Sequence, residues 1–248
     1  NDSKLQIIDK NAFNHSAIES FSIPSELNEL NEKWCLETPK LMKIKVSPKN
    51  QRFCCFDESL IIGKTNIDQI DYDCIVFCVR NIQNVKIPNF IKYIEPCSFD
   101  CCERLERVEF ANDSKLQTIG KYAFSFSAIK SIRIPSSVTA IGEGAFCFCR
   151  HLKVIEIPDN SKIQTICFCT FAHSNIKSIR IPSSVTSIES QAFLNCRSLC
   201  IIEIGNLEAI SLNISAFQNC QNLLLMIPVH SEEAKLCKSL SDSFSIII

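Results

Sequence analysis

An eleven-residue segment, IKSIRIPSSVT, occurs twice in this chain of 248 residues. The first copy runs from 129 to 139 and the second from 176 to 186, so the two lie 47 residues apart. The segment NDSKLQ also occurs twice, beginning at Asn1 and at Asn112. Identical segments repeated within one chain predict a repeat protein, in which each unit buries its apolar edge by stacking on the next.

A shorter period is visible inside the 47-residue one. A motif of the form L-x-x-I-x-I recurs, often followed by proline, and its last apolar residue falls at Ile23, Val46, Ile87, Phe110, Ile134, Ile157, Ile181, Ile204 and Ile227. The intervals are 23, 41, 23, 24, 23, 24, 23 and 23 residues. This motif at a period of about 20–29 residues is typical of leucine-rich repeats. We therefore predict one right-handed repeat solenoid of about nine coils, mostly β, with short parallel strands and irregular convex segments.

The second half of each unit also recurs and ends in a bulky residue, here called the plug. We expect the plug phenylalanines to stack inside the solenoid: Phe13, Phe99, Phe124, Phe146, Phe171, Phe193 and Phe217. Trp34 takes the same place in a degenerate unit. Units ending in AFxxC and AFxxS alternate, and one of each accounts for the spacing of 47 residues.

Two segments depart from the repeat. The 41-residue interval contains an insert at 47–81, where the apolar runs 60–62 and 75–79 are predicted to pair as an irregular hairpin projecting from the stack. The solenoid is expected to span residues 1–228, followed by a capping tail at 229–248. Leu236, Leu240 and Phe244 are four residues apart in that tail, which predicts a capping amphipathic helix.

The unit IPSSVTAIGEGAFCFCRHL, at 134–152, resembles the BspA-type leucine-rich repeat, and IPSSVTSIESQAFLNCRSL, at 181–199, is similar to it. The insert and the segment after it, with YDCIVFCVRNIQNVKIP, resemble those of large surface-antigen families of trichomonad parasites. Bacterial members of this family are surface proteins that attach to host tissue and matrix proteins. The resemblance implies a cell-surface binding protein and transfers no catalytic residue.

Composition excludes several classes of function. The net charge of -1 leaves no basic excess for nucleic acid, and no apolar run approaches the ~20 residues of a membrane span. We find no glycine-rich phosphate loop and no GxSxG motif, so we expect no enzyme and no cofactor. The first residues do not form a signal peptide, and we expect the sequence to begin inside a longer or processed chain.

The residue before the last apolar position of each strand alternates in charge along the stack: Lys86, Glu109, Arg133, Glu156, Arg180 and Glu203. Such a row is either a charged binding stripe or a ladder that sets strand register, and we favour the ladder because it is self-neutralised. A second outward row lies two residues earlier and is interpreted as small, mixed and unpaired. The candidate protein-binding concave face combines both rows: Asn84, Arg107, Ser131, Arg133, Val154, Glu156, Ser178, Arg180, Ile201 and Glu203.

Four of the sixteen cysteines share a repeat position, three residues after a plug: Cys102, Cys149, Cys196 and Cys220. We interpret them as small buried apolar residues. A disulfide between Cys196 and Cys220 is geometrically allowed, since they lie in adjacent coils. The CxC pairs at 147–149 and 167–169 fit zinc poorly, and no metal site is predicted.

Two functions remain open from the sequence. The first is a cell-surface or extracellular adhesion or antigen protein that binds a host cell-surface or matrix protein. The alternative is a cytoplasmic leucine-rich repeat scaffold for protein–protein interaction. Both are binding functions, and the fold by itself does not name the ligand.

Overall fold

The structure, a computed structural model, describes residues 3–206, 210–221, 223–226 and 245–247. These residues contain twenty-one short strands and one 3₁₀ turn, Ile214–Phe217. The strands are β1 (Ile7–Ile8), β2 (Ser20–Ile23), β3 (Glu29–Leu30), β4 (Lys43–Val46), β5 (Phe53–Phe56), β6 (Leu60–Gly63), β7 (Cys74–Cys78), β8 (Asn84–Ile87), β9 (Tyr93–Ile94), β10 (Arg107–Phe110), β11 (Thr118–Ile119), β12 (Ser131–Arg133), β13 (Ala140–Ile141), β14 (Val154–Glu156), β15 (Thr165–Ile166), β16 (Ser178–Ile181), β17 (Ser187–Ile188), β18 (Ile201–Ile204), β19 (Ser211–Leu212), β20 (Leu224–Met226) and β21 (Ser245–Ile247).

The first half of each repeat forms one strand of a parallel sheet, here called the main sheet. It has eight strands in the order β21-β20-β18-β16-β14-β12-β10-β8. Within β16, Ile179 and Ile181 are buried while Ser178 and Arg180 are exposed, as the alternation of side chains along a strand requires. The predicted leucine-rich repeat solenoid is confirmed, with about nine turns, and the described residues contain almost no helix.

The second half of each coil forms two-residue strands that line the other side of the core. Six strands pair in the order β13-β11-β9-β7-β6-β5, of which β7, β6 and β5 are the longer strands of the insert. Three more pair in the order β15-β17-β19. Between the two sheets, the inward isoleucines and leucines of successive coils form one continuous apolar core from Val85 to Leu223. This is the nearest-neighbour burial expected of a solenoid.

The plug phenylalanines form a column along the axis of the stack. The rings of Phe99, Phe124, Phe146, Phe171, Phe193 and Phe217 follow one another at centroid distances of 4.8, 5.4, 5.7, 5.3 and 5.4 Å. Phe13 is not in this column, and the prediction for it was wrong. It is half-buried and packs 6.1 Å from Trp34, whose ring is buried and continues to Phe77 at 5.9 Å.

The insert at 47–81 pairs as predicted but does not project. Strand β6 pairs antiparallel with both β5 and β7, and β7 then pairs in parallel with β9 of the next coil. Leu60, Ile62 and Ile75 join the core of the following coils. The opposite face, with Val76 and Phe77, packs against the first two coils. The insert lies within the stack because both of its faces are apolar and both are covered.

The main sheet is interrupted where the insert enters. Strands β2 and β4 pair with each other in a separate two-stranded sheet, which within the described ranges has no hydrogen-bonded ladder to β8. The insert therefore joins two groups of coils that the backbone ladder leaves apart.

The predicted capping helix falls on residues 231–244, which lie outside the described residues. Of the tail at 229–248, the structure describes Ser245–Ile247, which form β21 and pair in parallel with β20. This part of the tail extends the main sheet.

A candidate binding face on the main sheet

The outward side chains of the main sheet form two parallel rows, and together these rows are here called the main face. The ladder places Asn84, Arg107 and Ser131 side by side, followed by Val154, Ser178 and Ile201. The second row contains the charged residues, with Glu109 beside Lys86, Arg133 beside Glu156 and Arg180 beside Glu203. The structure thus brings all ten residues of the sequence-derived site onto one surface.

The charged row is organised in pairs and is not one continuous ladder. Arg133 Nε lies 3.8 Å from Glu156 Oε2, and Arg180 Nη1 lies 2.5 Å from Glu203 Oε1. Arg180 Nε also contacts Asp159 Oδ1 at 2.8 Å. The side chains of Arg133 and Glu156 are 80% and 61% exposed, so this pair is worth little by itself.

The sequence analysis interpreted the row that contains Arg107 as unpaired, but Arg107 forms an ion pair in the structure. Its Nε lies 2.8 Å from Glu109 Oε1 within the same strand. Residues two apart on a strand point to the same face, and a long guanidinium can fold back onto the carboxylate. Glu109 is therefore neutralised by Arg107 at its own strand.

Replacing Arg133 with glutamate is expected to lower the free energy of unfolding by about 0.2–1 kcal/mol at low salt. The change would place a carboxylate between Glu109 and Glu156, and salt would screen the repulsion. Urea unfolding at low and high salt measures the effect, with Arg133→Gln as the control that removes the charge without reversing it. A difference between the two variants that does not shrink with salt would contradict the assignment of these side chains as neighbours.

The centre of the main face is an open groove of about 710 Å³. Its floor is formed by β10, β12 and β14, and its wall by the turns that follow them, including Pro135 and Pro158. Val154 lies in this groove with 49% of its surface exposed. Ile201, farther along the same row, is 36% exposed. The main face thus has one row in which charged side chains form ion pairs, and a second row in which Val154 and Ile201 expose apolar surface.

Two residues of the main face were missed by the sequence analysis. Leu224 pairs with Ile201 and Met226 pairs with Glu203, so both rows continue onto β20. Met226 is 40% exposed. The signal was present in the sequence, because the 23-residue period reaches Ile227 and places Met226 at the ladder position.

A second surface strip lies at the turn after the plugs. The rings of Phe126, Phe148 and His173 stack at 4.6 and 4.2 Å, and all three residues have positive φ values between 54° and 59°. The rings are half-buried, and the guanidinium of Arg150 lies 5.9 Å from the Phe148 centroid. Partial burial and the nearby charge of Arg150 lower the pKa of His173. The recurrence of an aromatic residue two positions after the plug, in AFSFS and AFCFC, was its sequence signal.

Three of the four cysteines at the shared repeat position, Cys102, Cys149 and Cys196, are buried as the sequence analysis interpreted them. The fourth, Cys220, is half-buried. The thiols of Cys149 and Cys196 donate to the carbonyl oxygens of Phe124 and Phe171, each at 3.0 Å. Burial raises the pKa of Cys149 to about 12 and that of Cys196 to about 11. Cys196 and Cys220 are both free thiols in the structure. Within the described ranges, no three His, Cys, Asp or Glu side chains form a group that could hold a metal ion.

Among the described residues, no helix is long and apolar enough to cross a membrane.

The comparisons with known proteins converge on one repeat type. A family model for the BspA type leucine rich repeat region matches six copies, at residues 1–63, 68–199 and 139–232. A search of curated protein sequences gives no significant match.

Three solved structures are similar in fold. A leucine rich cell surface protein from Faecalibacterium prausnitzii is 24% identical with a TM-score of 0.66, and the match covers 97% of this chain and 54% of that one. A leucine-rich repeat protein from Eubacterium ventriosum is 19% identical with a TM-score of 0.74, over 88% of this chain and 57% of that one. The pneumococcal vaccine antigen PcpA is 19% identical with a TM-score of 0.62, over 99% of this chain and 60% of that one. The chain therefore spans between 54% and 60% of these proteins.

Proposed function

This chain belongs to the BspA-type leucine-rich repeat family, and from that premise we propose that it is a non-enzymatic module that binds a protein partner along the main face. One observation carries the proposal. Val154 and Ile201 are solvent-exposed on the same row, beside charged groups that are already paired. Apolar area flanked by satisfied charges is the composition of a protein–protein interface with a desolvated centre and a polar rim.

The geometry of the groove favours an extended partner surface. Arg107, Val154 and Glu156, which belong to two different strands, all border it. A solenoid presents such a surface continuously from coil to coil, so a partner can add contacts across several repeats.

We further propose a location at the cell surface and a host or matrix protein as the partner. Support comes from two fold neighbours, one described as a cell surface protein and the other as a vaccine antigen. An adhesion or antigen role is consistent with this repeat type.

A cytoplasmic scaffold is the second candidate, and the cysteines favour it. All fifteen cysteines that the structure describes are free thiols, a state typical of a reducing compartment. Labelling of intact cells with an antibody against this chain distinguishes a cell-surface protein from a cytoplasmic scaffold. Labelling without permeabilisation supports the surface location, whereas labelling only after permeabilisation supports the scaffold.

The main face is tested by replacing Arg107, Val154 and Ile201 together with serine. We expect binding to a panel of immobilised matrix proteins to fall by at least about tenfold, because truncating the central residues of an interface removes most of its energy. Binding is measured by surface plasmon resonance on the folded variant.

The matched control replaces one arginine and two exposed aliphatic residues elsewhere: Arg150, Ile67 and Ile70. Ile67 and Ile70 are 44% and 89% exposed in the insert region. We expect this variant to bind as the parent does. Loss of binding in the control alone would move the site to the insert or to the strip at Phe148.

A further inference from the structure

The strip of planar side chains at the turn after the plugs ends at Phe126. The rings of Phe126, Phe148 and His173 stack from coil to coil. In the coil before Phe126 the same turn carries Cys101, whose φ of 56° is close to the 54° of Phe126 but whose side chain is too small to cover a ring. Phe148 lies on one face of the Phe126 ring, with 5° between the two planes. The other face is therefore directed toward the coil of Cys101, whose N–H donates to Ser125.

A cavity of about 350 Å³ lies at this interruption and is here called the slot. Phe126 and Cys101 line it, together with Glu37 of an earlier coil. Glu103 and Lys40 also line the slot, and both are exposed. The slot shares no lining residue with the groove of the main face, so it is a separate site from the one proposed above.

The carboxylate of Glu37 is already held in place at the slot. The backbone N–H of Glu37 donates to Oδ2 of the buried Asp100 at 2.6 Å, which anchors the turn that carries Glu37 at a φ of 54°. Its Oε2 contacts Nδ1 of His15 at 2.8 Å. Within the described ranges Oε1 has no hydrogen-bond partner, so one carboxylate oxygen is available as an acceptor. A group held in this way loses little conformational entropy when a ligand binds.

The slot combines an aromatic face with negative charge. Two carboxylates, those of Glu37 and Glu103, line it against one ammonium group, that of Lys40. The face of an aromatic ring attracts a cation, and a guanidinium is the cation that also stacks flat on a ring. A guanidinium further donates N–H groups to a carboxylate in the same plane. The slot therefore favours a planar cation over an anion or a neutral group.

We propose that the slot binds the side chain of an exposed arginine on a protein partner. The guanidinium stacks on the free face of Phe126, in the place that the next ring of the strip would occupy, and donates to Oε1 of Glu37. A lysine side chain supplies the charge without the plane, and a citrulline side chain supplies the plane without the charge. The site is independent of what the main face binds.

The test titrates the full, isotopically labelled chain with three capped peptides and follows backbone amide shifts by NMR. The peptides are acetyl-Gly-Arg-Gly-amide and its lysine and citrulline counterparts. We expect the arginine peptide to shift the amides of Glu37, Cys101 and Phe126 in a saturable way. The citrulline peptide should bind at least about tenfold more weakly, because it forms no hydrogen bond from a charged donor. The lysine peptide should bind about two- to fivefold more weakly, because an ammonium group does not stack.

Two variants test the aromatic and the acidic part of the slot. Glu37→Gln should weaken binding of the arginine peptide at least about tenfold, and Phe126→Leu about two- to fivefold. The matched control is Glu32→Gln, which removes a carboxylate from the same coil but outside the slot. The side chains of Glu32 and Glu37 are 37% and 38% exposed, and both take part in an ion pair. We expect the control to bind the arginine peptide as the parent does.

Equal binding of the arginine and citrulline peptides would overturn the proposal, as would a Glu37→Gln variant that binds as tightly as the parent. Equal losses in Glu37→Gln and Glu32→Gln would show a general effect of net charge and would also count against the slot. Both results remain decisive if Phe126→Leu fails to fold. The triple serine variant of the main face should keep its binding of the arginine peptide, so a failure of the slot and a failure of the main face are distinguishable.

Discussion

Replacing Phe146 with alanine is expected to lower the free energy of unfolding by about 3–5 kcal/mol, the range for a truncated buried aromatic residue. The Phe146 ring is fully buried and stacks between Phe124 at 5.4 Å and Phe171 at 5.7 Å. Its loss leaves a cavity in the middle of the column and removes ring contacts with both neighbouring coils. The midpoint of urea unfolding, compared at equal m-value, measures the change.

Phe148→Ala is the matched control for this prediction. Phe148 lies two residues farther on, is half-buried, and stacks on Phe126 and His173 at the surface. Less apolar area is returned to water when it is truncated, so the loss of stability should be clearly smaller than for Phe146. A Phe146→Ala variant as stable as the parent would contradict the repeat assignment itself.

Replacing Arg80 with alanine is expected to cost about 3–5 kcal/mol of unfolding free energy. The substitution removes one donor from each of the carbonyl oxygens of Ser98 and Cys97, which keep only the backbone N–H groups of Cys78 and Asp100 as donors. It also removes the packing of the guanidinium on Phe77. Because Arg80 joins the insert to the following coil through Ser98 and Cys97, and to the preceding coils through Cys35, we expect the variant to unfold at a lower urea concentration.

Arg150→Ala is the control for Arg80. Arg150 is exposed and contacts the Phe148 ring at 5.9 Å, so its removal should change the unfolding free energy by less than about 1 kcal/mol. If the two alanine variants were equally stable, the buried position of Arg80 would be wrong.

The repeating part of the molecule could be predicted from the sequence. The period placed Ile179 and Ile181 inside and Ser178 and Arg180 outside, and the structure has them so. The repeat period predicted these buried and exposed positions correctly because each coil contacts chiefly its two neighbours, and because the side chains of a strand alternate between two faces. The same regularity assembled the main face from residues that are roughly 23 positions apart.

The pairing of side chains within that face was decided by the tertiary structure. Arg107 turns to Glu109 on its own strand, and Arg180 divides its contacts between Asp159 and Glu203. A row of alternating charges does not determine which neighbour each long side chain contacts, since several partners lie within reach on an exposed surface.

The insert was also decided by the tertiary structure. Its sequence predicted two strands that pair with each other. It did not predict that other coils would cover both faces of the insert. Arg80 lies against Cys35, 45 residues away, and the carboxylate of Asp100 accepts from the backbone of Glu37 across 63 residues. Contacts of this kind have no period and arise only when separate coils meet. The sequence by itself thus determined the solenoid, its register and its outward rows, because local repetition specifies them. Only the folded molecule determined how the insert joins two groups of coils around a buried guanidinium, because that joint depends on residues brought together from distant parts of the chain.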